Sequence, residues 1–321
     1  VKTDRLIRTI VFATDFSSCA DRAYQYALRI ASEWGASISA LHVVEFPPGM
    51  DPEYPVNQLY LENLRKELDQ QVATLVERAG QVGLMIVKRE ALGIPSVEIN
   101  NLARTLEADL IVVGTHGRTG LQHVLLGSTA ERVIAGAPCP VLAVREAKPA
   151  SEDRLSAEAP PIKWILVPID FSDCSLDALE YAAQVAREYG AHVTILHVME
   201  PATYGLDFTL THAADPERCE HIRARLNDLT AALTRSGVAT DQVLRGGLPA
   251  DMILHSECAM NCDLIVMGTH GRRGFSHLVY GSVTEAVLRR ARSPILTVRS
   301  PKFSPGHQRL VPLNAGNEKT N

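Results

Sequence analysis

Short runs of aliphatic residues alternate with stretches in which apolar positions recur every three or four residues. "LIRTIVFAT" (6–14) reads as a first strand. Ala23, Tyr26, Ala27 and Ile30 then fall at helical spacing, which predicts a helix opening at Ser17 and stopped by Gly35. "SISALHVV" (37–44) predicts a second strand, followed by a long polar helix over about 57–79. "LMIVKREAL" (84–92) predicts a third strand, and Pro95 sits near the start of a third helix. "DLIVVG" (109–114) is apolar almost throughout, as a central strand covered on both faces must be. "GSTAERVIAG" (127–136) predicts a fourth helix and "PVLAVR" (140–145) a fifth strand. Five strands alternating with four helices imply right-handed crossovers and a parallel sheet, hence an α/β fold.

The pattern is written twice. "TDFSSCADRAYQYALRIASEWGA" (14–36) aligns with "IDFSDCSLDALEYAAQVAREYGA" (169–191), and "LHVVE" (41–45) with "LHVME" (196–200). "GIPSVEI" (93–99) aligns with "GLPADMI" (247–253), and "ADLIVVGTHGRTG" (108–120) with "CDLIVMGTHGRRG" (262–274). The repeat is domain-sized, which indicates a duplicated domain and not a solenoid. We expect one domain at 1–146, a Pro-, Ala- and charge-rich linker at 147–161, and a second domain at 162–300. The tail, 301–321, has no counterpart in the first half and is expected to be mobile or loosely docked.

Composition narrows the function classes. The chain of 321 residues is 46% hydrophobic and 21% charged, which fits a water-soluble globular protein. Its net charge of −5 argues against a nucleic-acid binder with a broad basic surface. No window approaches the eighteen or so apolar residues of a membrane span, and the opening residues read as a strand and not as a signal peptide. The six cysteines are scattered, which suits reduced thiols in a cytoplasm better than a disulfide scaffold.

The candidate chemistry lies in a spacing, G-x2-G-x9-G-S, met by Gly114, Gly117, Gly127 and Ser128 and again by Gly268, Gly271, Gly281 and Ser282. Each copy begins where a fourth strand ends, the edge at which open α/β sheets bind ligands. One reading is an anion cradle. The first two glycines let a loop close over a ligand, and the last lets phosphate oxygens approach a helix N-terminus, where free N–H groups and a serine hydroxyl receive them. The other reading is a turn, a Ser cap and close packing. Asp15 and Asp170 end the first strand of each half, where a carboxylate could accept two ribose hydroxyls or cap a helix, although Ser17 and Ser172 are also available as caps. Val43 and Val198 could offer backbone groups and an apolar wall to a base.

In combination the two glycine patterns, "TDFS" and "IDFS", "LHVV" and "LHVM", and "GIP" and "GLP" resemble the universal stress protein family in its tandem two-domain form. The resemblance implies an adenine-nucleotide alpha hydrolase-like fold with a five-stranded parallel sheet of order 3-2-1-4-5. It implies pairing of the halves as an internal pseudo-dimer, which could pair again as a homodimer. It also implies ATP or AMP as ligand, with Mg²⁺ as a further candidate. Carried over, Asp15 and Asp170 would hold the ribose, and Val43 and Val198 would face the adenine, with Val113 and Met267 nearby. The glycines with Ser128 and Ser282 would wrap the phosphates. The halves differ at Ala13 against Pro168, and at Thr129 against Val283 after the last Gly-Ser. Both differences make the second half the closer match. Arg118 and Arg272 could meet a phosphate or be solvated.

Outside this pattern, His42, His197, His116 and His270 read as structural or loop hydrogen-bonding groups, because no serine or paired carboxylate converges with them. His255, Cys258 and Cys262 would share one face of a continuous helix and could supply three zinc ligands; the alternative is a packing face with buried thiols. Cys19 and Cys174 occupy matching structural positions. The expected function is that of an adenine-nucleotide sensor or regulator. The alternatives are a slow ATP hydrolase and a nucleotide-free docking module.

Overall fold

The computed structural model describes residues 5–45, 54–116, 126–145, 159–200, 216–270, 280–299, 303 and 307–312, with side chains of 55–57 and 59–67 excepted. Two compact units divide at Ala159 and Pro160.

In the first unit the strands are β1 (Thr9–Ala13), β2 (Ser37–Val44), β3 (Ile86–Leu92), β4 (Leu110–Gly114) and β5 (Val141–Val144). The helices are α1 (Ser18–Trp34), α2 (Pro55–Gln81), α3 (Pro95–Thr105) and α4 (Ser128–Gly136). The sheet order is β3-β2-β1-β4-β5, with every pairing in it parallel. β4 lies inside the sheet and is buried from Leu110 to Val113, which accounts for its unbroken apolar sequence.

The first strand is shorter than the apolar run predicts. Asp109 Oδ2 accepts the backbone N–H groups of Arg8 (2.9 Å) and Thr9 (3.0 Å), so a carboxylate occupies the start of β1. α1 begins and ends as expected. The Ser17 hydroxyl accepts the N–H of Ala20 at 3.2 Å, and Gly35 closes the helix at φ 62°, a left-handed conformation that glycine adopts without a Cβ clash. Ala23, Tyr26, Ala27 and Ile30 are all buried on its inner face.

The second unit repeats the plan. Its strands are β6 (Trp164–Ile169), β7 (His192–Met199), β8 (Thr240–Gly246), β9 (Leu264–Gly268) and β10 (Ile295–Val298). Its helices are α5 (Asp173–Tyr189), α6 (Pro216–Arg235), α7 (Pro249–Met260) and α8 (Ser282–Arg290). The order β8-β7-β6-β9-β10 is again 3-2-1-4-5, all parallel. The Asp109 device recurs as Asp263, which accepts from Lys163 (2.8 Å) and Trp164 (3.0 Å).

Part of the tail departs from the expectation of loose docking. Val311 is fully buried, and Leu310 and Val311 donate their backbone N–H groups to the carboxylate of Glu180 on α5. A buried carboxylate needs partners, and here the tail supplies them.

Candidate functional site

The carboxyl edge of the second sheet holds a cavity of about 480 Å³. β6 delivers Pro168 and Asp170 to it, β7 delivers His197, Val198 and Glu200, and β9 delivers Met267 and Gly268. The start of α8 contributes Gly281, Ser282, Val283 and Thr284. The cavity thus brings together Pro168, Asp170, Val198, Met267, Gly268, Gly281, Ser282 and Val283 of the residues expected from sequence. Gly271 and Arg272, like Gly117 and Arg118, lie outside the described residues.

The turn that aims Asp170 is built locally. Phe171 follows it at φ 63°, a left-handed conformation that costs a non-glycine residue about 1–2 kcal/mol. Asp170 Oδ1 accepts the Ser172 N–H at 3.0 Å and its hydroxyl at 2.6 Å. Ser172 is the N-cap of α5, and its hydroxyl oxygen accepts from Ser175 N. Capping therefore falls to the serine, while the aspartate braces the cap and lines the cavity. The Phe171 ring is buried against His197, with centroids 4.9 Å apart, and beneath the Arg225 guanidinium at 4.0 Å. This packing holds the left-handed turn in place. His197 Nδ1 lies 2.8 Å from the Ile169 carbonyl; a carbonyl only accepts, so Nδ1 carries the hydrogen. The first half repeats the turn with Phe16 at φ 61°, the Phe16–His42 ring pair at 4.9 Å, and Asp15 Oδ1 accepting from Ser17 N at 3.0 Å.

Gly268 ends β9 directly under α5. A Cβ there would stand 2.8 Å from both the carbonyl oxygen and the Sγ of Cys174. Gly114 meets the same helix position less tightly, 3.0 Å from Ala20 N and 3.2 Å from Cys19 Sγ. The first glycine of the second pattern is thus held by helix packing, and that of the first pattern is held in the same way with more room. The last glycine is packed as closely, since a Cβ at Gly127 would stand 2.8 Å from the Thr115 carbonyl oxygen, and it is also a helix cap. Gly281 is the N-cap of α8 and Gly127 of α4, and neither helix has a side-chain cap bond. The capping serine of the alternative reading is therefore not the cap: Ser128 and Ser282 are the first helical residues. A helix start without a covering side chain presents its first-turn N–H groups to the space in front of it.

In the first half Asp15, Ala13, Val43, Val113, Gly114, Gly127, Ser128 and Thr129 occupy the corresponding strand ends and helix start. Sequence reasoning missed several residues that line the second cavity: Ser175, Glu200, Arg218, Tyr280 and Thr284. Thr284 could have been found from its helical register, since its hydroxyl donates to the Gly268 carbonyl at 3.0 Å and so joins α8 to β9. Arg218 comes from α6, whose distance along the chain from the glycine pattern hides the connection.

The zinc candidates are not gathered. α7 stops at Met260 because Asn261 turns left-handed at φ 47°, so Cys262 leaves the helical face shared by His255 and Cys258. Cys262 is buried beside Ser293, while His255 and Cys258 are exposed. Burial pushes the Cys262 thiol up to about 12. Among the described residues no group of three His, Cys, Asp or Glu side chains could hold a metal ion. The paired cysteines near the glycines are structural: Cys19 Sγ donates to Val144 O at 3.1 Å and Cys174 Sγ to Val298 O at 3.3 Å.

Two successive α/β units, each with a glycine-marked strand-to-helix junction at the carboxyl edge of its sheet, define a tandem α/β protein. The family model described as the universal stress protein family matches residues 6–145 and again residues 161–299, and the chain belongs to that family. A universal stress protein of Mycolicibacterium smegmatis is 29% identical over 301 residues, covering 90% of this chain and 96% of the relative. A universal stress protein of Methanocaldococcus jannaschii is 38% identical over 146 residues, covering 45% of this chain and 86% of the relative. Among solved structures, a universal stress protein from Archaeoglobus fulgidus matches with a TM-score of 0.68 at 20% identity, covering 91% of this chain and 98% of that one. Among the described residues no helix is long and apolar enough to cross a membrane.

Proposed function

We propose that the second half binds an adenine nucleotide, ATP or AMP, in the cavity at its sheet edge, and that occupancy serves a regulatory, sensing role. The observation that carries this reading is the convergence of three unlike surfaces on one cavity of about 480 Å³. Asp170 offers a carboxylate for ribose hydroxyls, Val198 and Met267 an apolar wall for a base, and the α8 start an anion site at Gly281 and Ser282. The volume falls within the roughly 300–1,000 Å³ of small-molecule sites. Pro168 and Val283, which line this cavity, are replaced by Ala13 and Thr129 in the first half, so the second half is the stronger binder.

The test is calorimetric titration of nucleotide-stripped protein with ATP and with AMP, with and without Mg²⁺, for wild type, Asp170→Ala and Asp15→Ala. The expected result is one tight site per chain, weakened about tenfold or more in Asp170→Ala, the size of a lost hydrogen bond to a charged group, and unchanged in Asp15→Ala. Binding that survives Asp170→Ala intact, or the absence of binding heat with either nucleotide, would overturn the reading.

A further inference from the structure

The tail carries an inference that does not depend on the nucleotide reading. Residues beyond β10 return to the outer face of α5 and engage two acidic side chains one turn apart. Glu180 is fully buried. Its Oε1 accepts from His307 Nε2 at 2.8 Å, and its Oε2 accepts the backbone N–H groups of Leu310 at 3.0 Å and Val311 at 2.8 Å. Arg309 Nη1 pairs with Asp177 Oδ1 at 2.7 Å, while Arg309 Nε donates to the Val311 carbonyl at 3.1 Å. Phe303 stacks on His307 with centroids 4.7 Å apart and lies under the Arg309 guanidinium at 5.5 Å. Val311 is buried completely. One carboxylate thus reads both a side chain and two consecutive backbone amides, and a second reads a guanidinium.

The duplicated helix supplies an internal comparison. The positions of α1 that align with Asp177 and Glu180 are Arg22 and Gln25. The first half therefore carries a basic and a neutral residue where the second carries two acids. Gln25 turns its amide to Asp21 at 3.5 Å, and Arg29 of the same helix donates to the Ala159 carbonyl. Two helices of common origin have diverged at the positions that decide which segment can lie on them, and the tail's His307 and Arg309 complement only the second.

We propose that the Asp177–Glu180 face of α5 is a peptide-docking site selective for a His-x-Arg-aliphatic-aliphatic segment, and that its resident occupant is the chain's own residues 307–311. Hydrogen bonds to the Glu180 carboxylate and the Arg309–Asp177 ion pair supply the selectivity. The buried Val311 supplies apolar anchoring, and the tether supplies a high local concentration, on the order of millimolar for a short linker.

The test uses the full chain. In the variant Arg309→Glu/Val311→Asp, whose changes lie on the tail beyond the second repeat, the tail should leave its site, and the Leu310 and Val311 amides should lose hydrogen-exchange protection present in the wild type. A synthetic peptide spanning residues 303–312 should then bind this variant saturably and the wild type at least about tenfold more weakly, because the tethered tail competes. Adding Glu180→Gln to the variant, which keeps an acceptor but removes the charge, should weaken the peptide about tenfold; Asp177→Asn gives the same reading should Glu180→Gln fold poorly. Unprotected amides in the wild type, equal peptide binding to both proteins, or indifference to both α5 substitutions would each overturn the proposal.

Discussion

Gly268→Ala separates the packing role of the first glycine from a ligand role. A Cβ at Gly268 would lie 2.8 Å from Cys174 O, 2.8 Å from Cys174 Sγ and 2.9 Å from Cys174 C. Two of these atoms belong to the backbone of α5, and the sulfur is held by its bond to Val298 O, so no flexible group can step aside. Overpacking of this kind costs about 1–3 kcal/mol. The reduced freedom of the unfolded chain returns about 0.4–1 kcal/mol. The net loss is then about 1–2 kcal/mol, or a fall in Tm of about 2–8 °C for a unit of this size. Gly114→Ala, with its nearest contacts at 3.0–3.2 Å, should cost less than Gly268→Ala. Differential scanning calorimetry of both variants reads the difference. Adding Cys174→Ala should rescue Gly268→Ala only in part, because the backbone contacts remain. Full rescue, an unchanged Tm in Gly268→Ala, or equal losses at the two glycines would refute the packing argument.

Alkaline conditions test the burial of Cys262. Its thiol is pushed from 9.0 up to about 12, so the folded state keeps the proton longer than the unfolded state does. That contribution is complete below pH 9 and is lost as pH rises toward 12. Between pH 9 and 10 it should cost wild type about 1 kcal/mol in urea unfolding, a loss absent from Cys262→Ser. At pH 8 a thiol reagent should label the exposed Cys258 well before Cys262. The carboxylates that start the first strand of each unit make a second comparison. Asp109→Ala removes a buried acceptor of two backbone bonds and should cost about 2–3 kcal/mol in chemical denaturation, more than Asp263→Ala, whose bonds are exposed to water.

Much of this architecture was legible in the chain because duplication wrote each element twice. The alternation of apolar runs and helical spacing located β2 at Ser37–Val44 and the start of α1 at Ser17, since both signals are local. Strand order came from the family resemblance. Of the candidate site, the residues at strand ends were readable, because the carboxyl edge of each strand follows an apolar run. Three features were not. Arg218 and Tyr280 reach the cavity through tertiary packing that no spacing encodes. The packing role of Gly268 depends on how closely α5 crosses the sheet. The left-handed Phe171 departs from local preference and is held by a ring and a guanidinium distant in sequence.

The helix break at Asn261 and the docked tail differ in how far each is legible from local sequence. Asn261 is a residue that readily ends a helix in the left-handed conformation, so the break that separates Cys262 from His255 and Cys258 is a local signal. The tail offers no such signal. Its polar, turn-rich composition is that of a loose segment, and only Glu180, more than a hundred residues earlier, converts His307 and two backbone amides into a fixed contact. The clue lies in the comparison of repeats: where the first copy has Arg22 and Gln25, the second has the two acids Asp177 and Glu180. A charge gained on one copy of a duplicated helix and buried there requires a partner that the other copy lacks. In this chain the partner is the segment 307–311, so the divergence of the copies points to a contact that the composition of the tail conceals.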